Sequence, residues 1–108
     1  MSTATSGRAR EYRVRDHMRE AGWIPVMRAA ASKGVADLAM VHPVHGLALV
    51  QVGTFKSKRL GPADRARFLE VAGLCSALPI LAAVRPGVGI TYWQVGPGSA
   101  ATWDRWAP

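Results

Sequence analysis

Apolar residues recur at helical spacing near the start of the chain. Val14, Met18 and Ala21 are separated by four and then three residues, which puts them on one face of a helix. Gly22 follows directly and favours the end of that helix, because glycine readily takes the left-handed conformation of a helix terminus. The pattern predicts a helix over residues 8–21.

The next segments are continuous apolar runs without helical spacing. Residues 36–42 and 47–53 are nearly all apolar, which is typical of strands covered on both faces. Between them, Pro43-Val44-His45-Gly46 favours a tight hairpin. Residues 23–28 predict an earlier strand near a sheet edge, since Pro25 has no N–H to donate to a ladder.

A second helix is predicted over residues 62–76. It starts at Pro62, whose missing N–H is not needed in a first turn, and its apolar face includes Cys75, which we expect to be buried. Two further strands, at 79–84 and 90–95, are predicted to follow. The order helix, strand, strand, strand, helix, strand, strand predicts an α/β fold with a mixed central β-sheet flanked by helices.

The length of 108 residues allows one hydrophobic core and is too short for two. We expect residues 1–7 to be a disordered lead-in, residues 8–96 to form the domain and residues 97–108 to form a C-terminal tail. Trp103 and Trp106 lie in that tail. Because large exposed aromatic residues are uncommon, we expect both to pack on the domain or on a second subunit.

The charge balance indicates a polyanionic partner. Fourteen Lys and Arg against seven Asp and Glu give a net charge of +7, and eleven of the fourteen cations are arginine. Arginine's planar fork suits bidentate contacts with phosphate, so nucleic acid is the favoured partner. A basic surface kept for solubility, or the arginine bias of a GC-rich genome, would give the same count.

Nothing in the sequence predicts a membrane span or an oxidising compartment. The longest apolar run, residues 78–84, is far shorter than the ~20 residues that a bilayer requires. The single cysteine cannot form an internal disulfide, and His17, His42 and His45 do not have metal-ligand spacing. We therefore expect a cytoplasmic protein that does not bind membranes.

Two polar residues interrupt the apolar strands of the predicted hairpin. If His42 and Gly46 close the loop, Asp37 lies opposite Gln51, and directly opposed side chains share a face. Their oxygens, with a third from elsewhere, would suit Mg²⁺, which takes one or two carboxylates and completes its shell with water and phosphate. A salt bridge from Asp37 to a nearby arginine is the alternative.

The chain resembles the archaeal-type Holliday junction resolvases of the PD-(D/E)XK nuclease superfamily over residues 7–95. Three motifs carry the resemblance: Gly7-Arg8-Ala9-Arg10-Glu11, Arg28-x-x-x-Ser32-x-Gly34-x-x-Asp37 and Leu49-Val50-Gln51-Val52-Gly53. Each motif is short, and the specificity comes from their order, spacing and predicted structural context. The resemblance implies a restriction-endonuclease-like fold and a homodimer that cuts four-way or branched DNA with Mg²⁺, for which Mn²⁺ can substitute.

The resemblance also assigns roles to individual residues. Glu11, Asp37 and Gln51 correspond to the metal-binding and catalytic positions, and Ser32 to a catalytic position near the scissile phosphate. Arg28 corresponds to a further position near the scissile phosphate. The predicted DNA contacts come from one group of cations: Arg8, Arg10, Arg28, Lys33, Lys58 and Arg59. Without the resemblance, a helix ion pair with Arg15 is the favoured explanation of Glu11. A solvated basic loop explains residues 56–59 nearly as well as DNA contact does.

Two departures from the family motif bear on catalysis. Gln51 stands where the family has glutamate, which removes a charge but keeps a carbonyl oxygen. Gly53 stands where the family has the lysine that stabilises the phosphate in the transition state. Lys56 replaces that lysine only if the strand bends after Gly53, because strict alternation sends Lys56 to the other face.

Three hypotheses follow for the function. The first is a Mg²⁺-dependent, structure-specific endonuclease; the second is a catalytically degenerate DNA-binding protein on the same fold; the third is an unrelated basic α/β module. The arginine-rich composition is similar to that of proteins from actinobacteria or their phages, which would place a phage-encoded protein in the cytoplasm of its bacterial host.

Overall fold

A single mixed β-sheet with one helix on each face forms the molecule. The computed structural model describes residues 3–28, 36–54, 60–85 and 87–108, with the backbone alone at 3–7, 28 and 54. The elements are α1 (Thr3–Glu20), β1 (Ile24–Arg28), β2 (Leu38–His42), β3 (Gly46–Thr54), α2 (Pro62–Leu74), β4 (Leu78–Arg85), β5 (Gly89–Gln94), a short 3-10 helix (Ala100–Thr102) and β6 (Asp104–Trp106). The strands lie in the order β1-β2-β3-β4-β5-β6. Only β3 and β4 pair in parallel among these neighbours, so the predicted mixed sheet is confirmed.

The predicted elements are all present, with three differences. Helix α1 begins at Thr3 rather than at residue 8, since its first turns consist of small and polar residues without an apolar period to mark them. The short strand β6 was not predicted, because a three-residue segment carries no periodic pattern. Cys75 is exposed, contrary to expectation, because α2 ends at Leu74 and Cys75 caps it beyond the apolar face. The division into lead-in, domain and tail stays a prediction.

The face of the sheet beneath α1 holds the larger hydrophobic core. Val14 and Met18 of α1 are fully buried against alternate residues of the strands. Those residues are Leu38, Met40, Ala48, Val50, Ile80, Ala82, Val84 and Tyr92. The four-residue step from Val14 to Met18 is one helical turn, so the spacing that predicted the helix also supplies its packing.

The opposite face packs against α2. Phe68 and Ala72, one turn apart on α2, are 1% exposed and contact the other alternate strand residues. Those residues include Ala39, Leu49, Leu81 and Ala83. Successive residues along each strand therefore pack into the core on alternate faces of the sheet, as a sheet covered on both sides requires.

Aromatic rings form a connected cluster on the α1 face. The ring of Trp23, at the start of β1, lies 5.2 Å from that of His42, 6.0 Å from that of His45 and 5.6 Å from that of Trp106 (centroid distances). The ring of Trp106 in turn lies 5.6 Å from that of Tyr92. The cluster thus joins β1, the β2–β3 turn, β5 and β6, which include both edge strands of the sheet.

The C-terminal segment packs on the domain. Trp103 is 8% exposed, and its Nε1–H donates to the carbonyls of Gly96 and Gly98 at 3.1 and 3.0 Å. β6 then pairs with β5, from Tyr92 opposite Trp106 to Gln94 opposite Asp104. Both tail tryptophans therefore contact the domain.

The first strand has an exposed apolar edge. Ile24, Val26 and Met27 are 56%, 57% and 65% exposed, and the pairing with β2 is irregular between Pro25 and Met27.

Within the described parts of the chain, no helix is long and apolar enough to span a bilayer.

Candidate functional site

Asp37 is held where the β2–β3 ladder ends. The register pairs His42 with Gly46 and Met40 with Ala48, as the hairpin prediction required, and stops at Leu38 opposite Val50. Beyond that pair, the N–H of Asp37 donates to the Val50 carbonyl at 2.9 Å. Its Oδ2 accepts from the Val52 N–H at 2.8 Å. The side chain therefore replaces a backbone acceptor, which fixes the direction of the carboxylate.

Gln51 lies on the adjoining stretch of β3. It is half-buried and sits opposite Leu81 of β4, whose side chain packs in the core against α2. Opposed residues on neighbouring strands share a face, so Gln51 belongs to the α2 side of the sheet. Asp37 and Gln51 are brought to the same stretch of the hairpin, as the sequence predicted.

Glu11 lies on α1, which packs on the face of the sheet opposite to that of Gln51. It is the one charged residue among the buried residues that the structure describes, at 9% exposure. It lies three and seven residues before Val14 and Met18, so it extends the buried stripe of α1 by one turn. Arg15, the alternative partner predicted for Glu11, donates to Asp16 Oδ1 at 2.9 and 3.0 Å.

The oxygen donors match magnesium in kind. Two carboxylates and one amide oxygen are ligands that Mg²⁺ accepts alongside water. Among the described residues, no group of three or more His, Cys, Asp or Glu could hold a metal ion. The set Glu11, Asp37 and Gln51 stays a prediction, with Asp37 as its best-positioned member.

Several predicted site residues cannot be assigned a place. Ser32, Lys33, Lys56, Lys58 and Arg59 lie outside the described residues. Arg28 ends β1, where only its backbone is described.

The position at which the family motif has lysine, residue 53, lies within the described part of the chain. Gly53 lies in β3 opposite Ala83 and contributes no side chain at all. Two cations precede Glu11 on α1. Arg8 is exposed, and Arg10, the residue directly before Glu11, is half-buried.

One polar contact on the α1 face was not expected. The Tyr92 hydroxyl and His17 Nδ1 lie 2.8 Å apart, and the two rings stack with centroids 5.7 Å apart. Burial raises the pKa of the Tyr92 phenol far above its ordinary value. A cleft of about 320 Å³ opens beside His17, lined also by Arg13, Asp16, Glu20 and the first residues of β5. Spacing could not have identified this pair, because 75 residues separate its members.

Comparison with known proteins supports the fold. Neither a protein-family model nor a curated protein matches the chain. A solved structure that is similar is that of Hjc, a Holliday junction resolvase from the archaeal hyperthermophile Archaeoglobus fulgidus. It superposes with a TM-score of 0.67 and 18% sequence identity, over 82% of this chain and 77% of that one. The chain therefore has the restriction-endonuclease-like α/β fold of an archaeal Holliday junction resolvase, as predicted.

Proposed function

We propose that this protein is a metal-dependent endonuclease that cuts branched or four-way DNA. The observation that carries the proposal is the position of Asp37, whose carboxylate is fixed by the Val52 N–H at the end of the central hairpin. The resolvase-like fold supports the same conclusion, and so does the net charge of +7, which favours a polyanionic substrate.

In this proposal the metal is Mg²⁺, with Mn²⁺ as a substitute, held by Asp37 and Gln51 of the hairpin and by Glu11, which would have to reach the ion from the α1 side of the sheet. The ion would supply an activated water and neutralise charge on the scissile phosphate. Asp37 would orient the site because the Val52 N–H fixes the direction of its carboxylate. The phosphate contacts come from the arginines and lysines of the predicted DNA-binding group, with Ser32 and Lys56 beside the scissile bond.

The protein would act in the cytoplasm as a homodimer. A four-way junction has near-twofold symmetry, and a twofold dimer presents the same surface to both strands that are cut. The dimer predicts paired nicks on opposed strands rather than a single nick.

The test is cleavage of a labelled four-way junction with Mg²⁺, with Mn²⁺ or with neither. Wild-type protein is expected to give paired nicks with metal, and Asp37→Asn to give none. Asp64→Asn is the matched control, because it removes an exposed acidic residue from the first turn of α2. Junction binding without cleavage in either metal would refute the catalytic claim.

A second candidate function is DNA binding without cleavage, and Gly53 favours it. The strand position that carries lysine in the family's motif has no side chain here. This candidate predicts junction binding that survives Asp37→Asn and weakens steeply with salt, as phosphate contacts require. Activity that appears only in Gly53→Lys would identify the natural protein as a degenerate nuclease.

A further inference from the structure

The side chains of α1 form three stripes with different surroundings. Glu11, Val14 and Met18 are buried against the sheet. Arg13, His17 and Glu20 line the cleft beside β5. The third stripe repeats at intervals of four, three and four residues, and it consists of Arg8, Tyr12, Arg15 and Arg19. We name it the arginine–tyrosine stripe.

The arginine–tyrosine stripe faces away from β5 and is open to solvent. The contact between His17 and Tyr92 fixes the opposite flank of α1 against β5. Arg8 and Arg19 are exposed, and Tyr12 is 38% exposed. At 1.5 Å of rise per residue, the stripe is about 16 Å long.

Tyr12 presents an aromatic ring in the middle of this stripe. The guanidinium carbon of Arg15 lies 4.7 Å from the centre of that ring. The same guanidinium is held by Asp16 at 2.9 Å. Asp16 thus orients the Arg15 guanidinium, which packs over the Tyr12 ring.

We propose that the arginine–tyrosine stripe binds unpaired nucleotides of a branched DNA substrate. The arginines at either end, Arg8 and Arg19, contact phosphates, and Tyr12 stacks on a base. This inference rests on the proposed action on DNA and extends it to a substrate class: branched DNA with a single-stranded arm.

The chemistry favours an unpaired strand over a duplex. In a duplex the faces of the bases are covered by their neighbours, and a protein reads only edges and phosphates. An unpaired base offers its flat face, and aromatic stacking with flanking cations is the usual way to bind it without sequence preference. A cationic stripe with an aromatic ring at its centre fits that mode, whereas a purely basic stripe would suit duplex phosphates equally well.

The experiment compares two DNA substrates in EDTA, so that cleavage cannot intervene. One is a branched duplex with a single-stranded arm that carries 2-aminopurine, and the other is the same molecule with the arm paired. Wild-type protein is expected to bind the open arm more tightly and to change the 2-aminopurine fluorescence. Tyr12→Leu should weaken open-arm binding by roughly 5- to 150-fold, as loss of one stacked base implies, and leave paired-arm binding unchanged. Tyr12→Phe should retain the preference.

Arginine variants test the phosphate contacts. Arg19→Gln should weaken open-arm binding, while Arg67→Gln, which removes an exposed arginine from α2, should not. Circular dichroism and thermal unfolding of each variant should match those of the wild type, because the substituted side chains are exposed.

The outcomes separate this inference from the proposed function. Equal affinity of wild-type protein for the two substrates, or an equal loss on both in Tyr12→Leu, overturns the stripe proposal and leaves the action on junctions standing. No binding to either substrate overturns both.

Discussion

The aromatic cluster and the site around Asp37 lie in the same small sheet but are built differently. In the cluster, Trp23 contacts three other rings within 6.0 Å and is 2% exposed, so much apolar surface is buried at one point. At the site, Asp37 is held by a backbone ladder that is ending, and Glu11 is a carboxylate in a buried position. Burial of a carboxylate costs free energy unless it is paired, whereas burial of an indole is favourable. Stability is therefore expected to come from the cluster, and chemistry from the site.

The largest effect on stability is expected from Trp23→Ala. Removing this side chain leaves a cavity between the hairpin turn and β6, and it should lower the free energy of unfolding by about 3–5 kcal/mol. Urea unfolding followed by far-UV circular dichroism measures the loss. Trp23→Phe is the control, since it keeps a ring and loses the Nε1–H bond to the Pro108 carbonyl. A loss below about 1 kcal/mol in Trp23→Ala would contradict the contrast between the two regions.

Two substitutions at Asp37 are expected to differ in stability. Asp37→Ala leaves the Val52 N–H without its acceptor and should cost about 1–3 kcal/mol. Asp37→Asn keeps a carbonyl oxygen for that N–H and should cost less. Equal midpoints of urea unfolding for the two variants would mean that the bond to Val52 does not hold the site.

The smallest effect is expected from Tyr92→Phe. Loss of the hydroxyl near His17 Nδ1 should cost about 0.5–1.5 kcal/mol at pH 8. The cost should shrink in alkali, because the pKa of Tyr92 is raised from 10.0 in the folded state and its phenol ionises first in the unfolded chain. The wild type therefore keeps this stability below pH 10 and loses it as the pH rises further. A gap between wild type and variant that stays constant from pH 8 to pH 11 would argue against this account.

Local patterns in the sequence were enough to predict most of the fold. The spacing of Val14 and Met18 predicted α1, and Gly46 predicted the turn that sets the β2–β3 register. That register places Asp37 next to the part of β3 that contains Gln51, as expected. The pairing of β6 with β5 was not predictable, since Asp104, Arg105 and Trp106 show no alternation and pair only because the tail folds back.

The site was less predictable than the fold. Alternation and turn length give the face of a side chain but not its hydrogen bonds, so the bond from Val52 to Asp37 was not foreseen. Glu11, the third ligand in the proposal, was suggested by family resemblance and not by spacing. Contacts between distant residues, such as His17 with Tyr92, depend on tertiary packing and leave no local signal.

The tilt between Trp23 and Trp106 gives the protein an optical signature of its own. The two indole rings lie 5.6 Å apart at 65° to each other, and their electronic transitions couple at that distance and angle. Folded protein should therefore show a paired positive and negative band from the strong indole transition in its far-ultraviolet circular dichroism spectrum. The loss of that couplet would report separation of β6 from β1 without any attached dye.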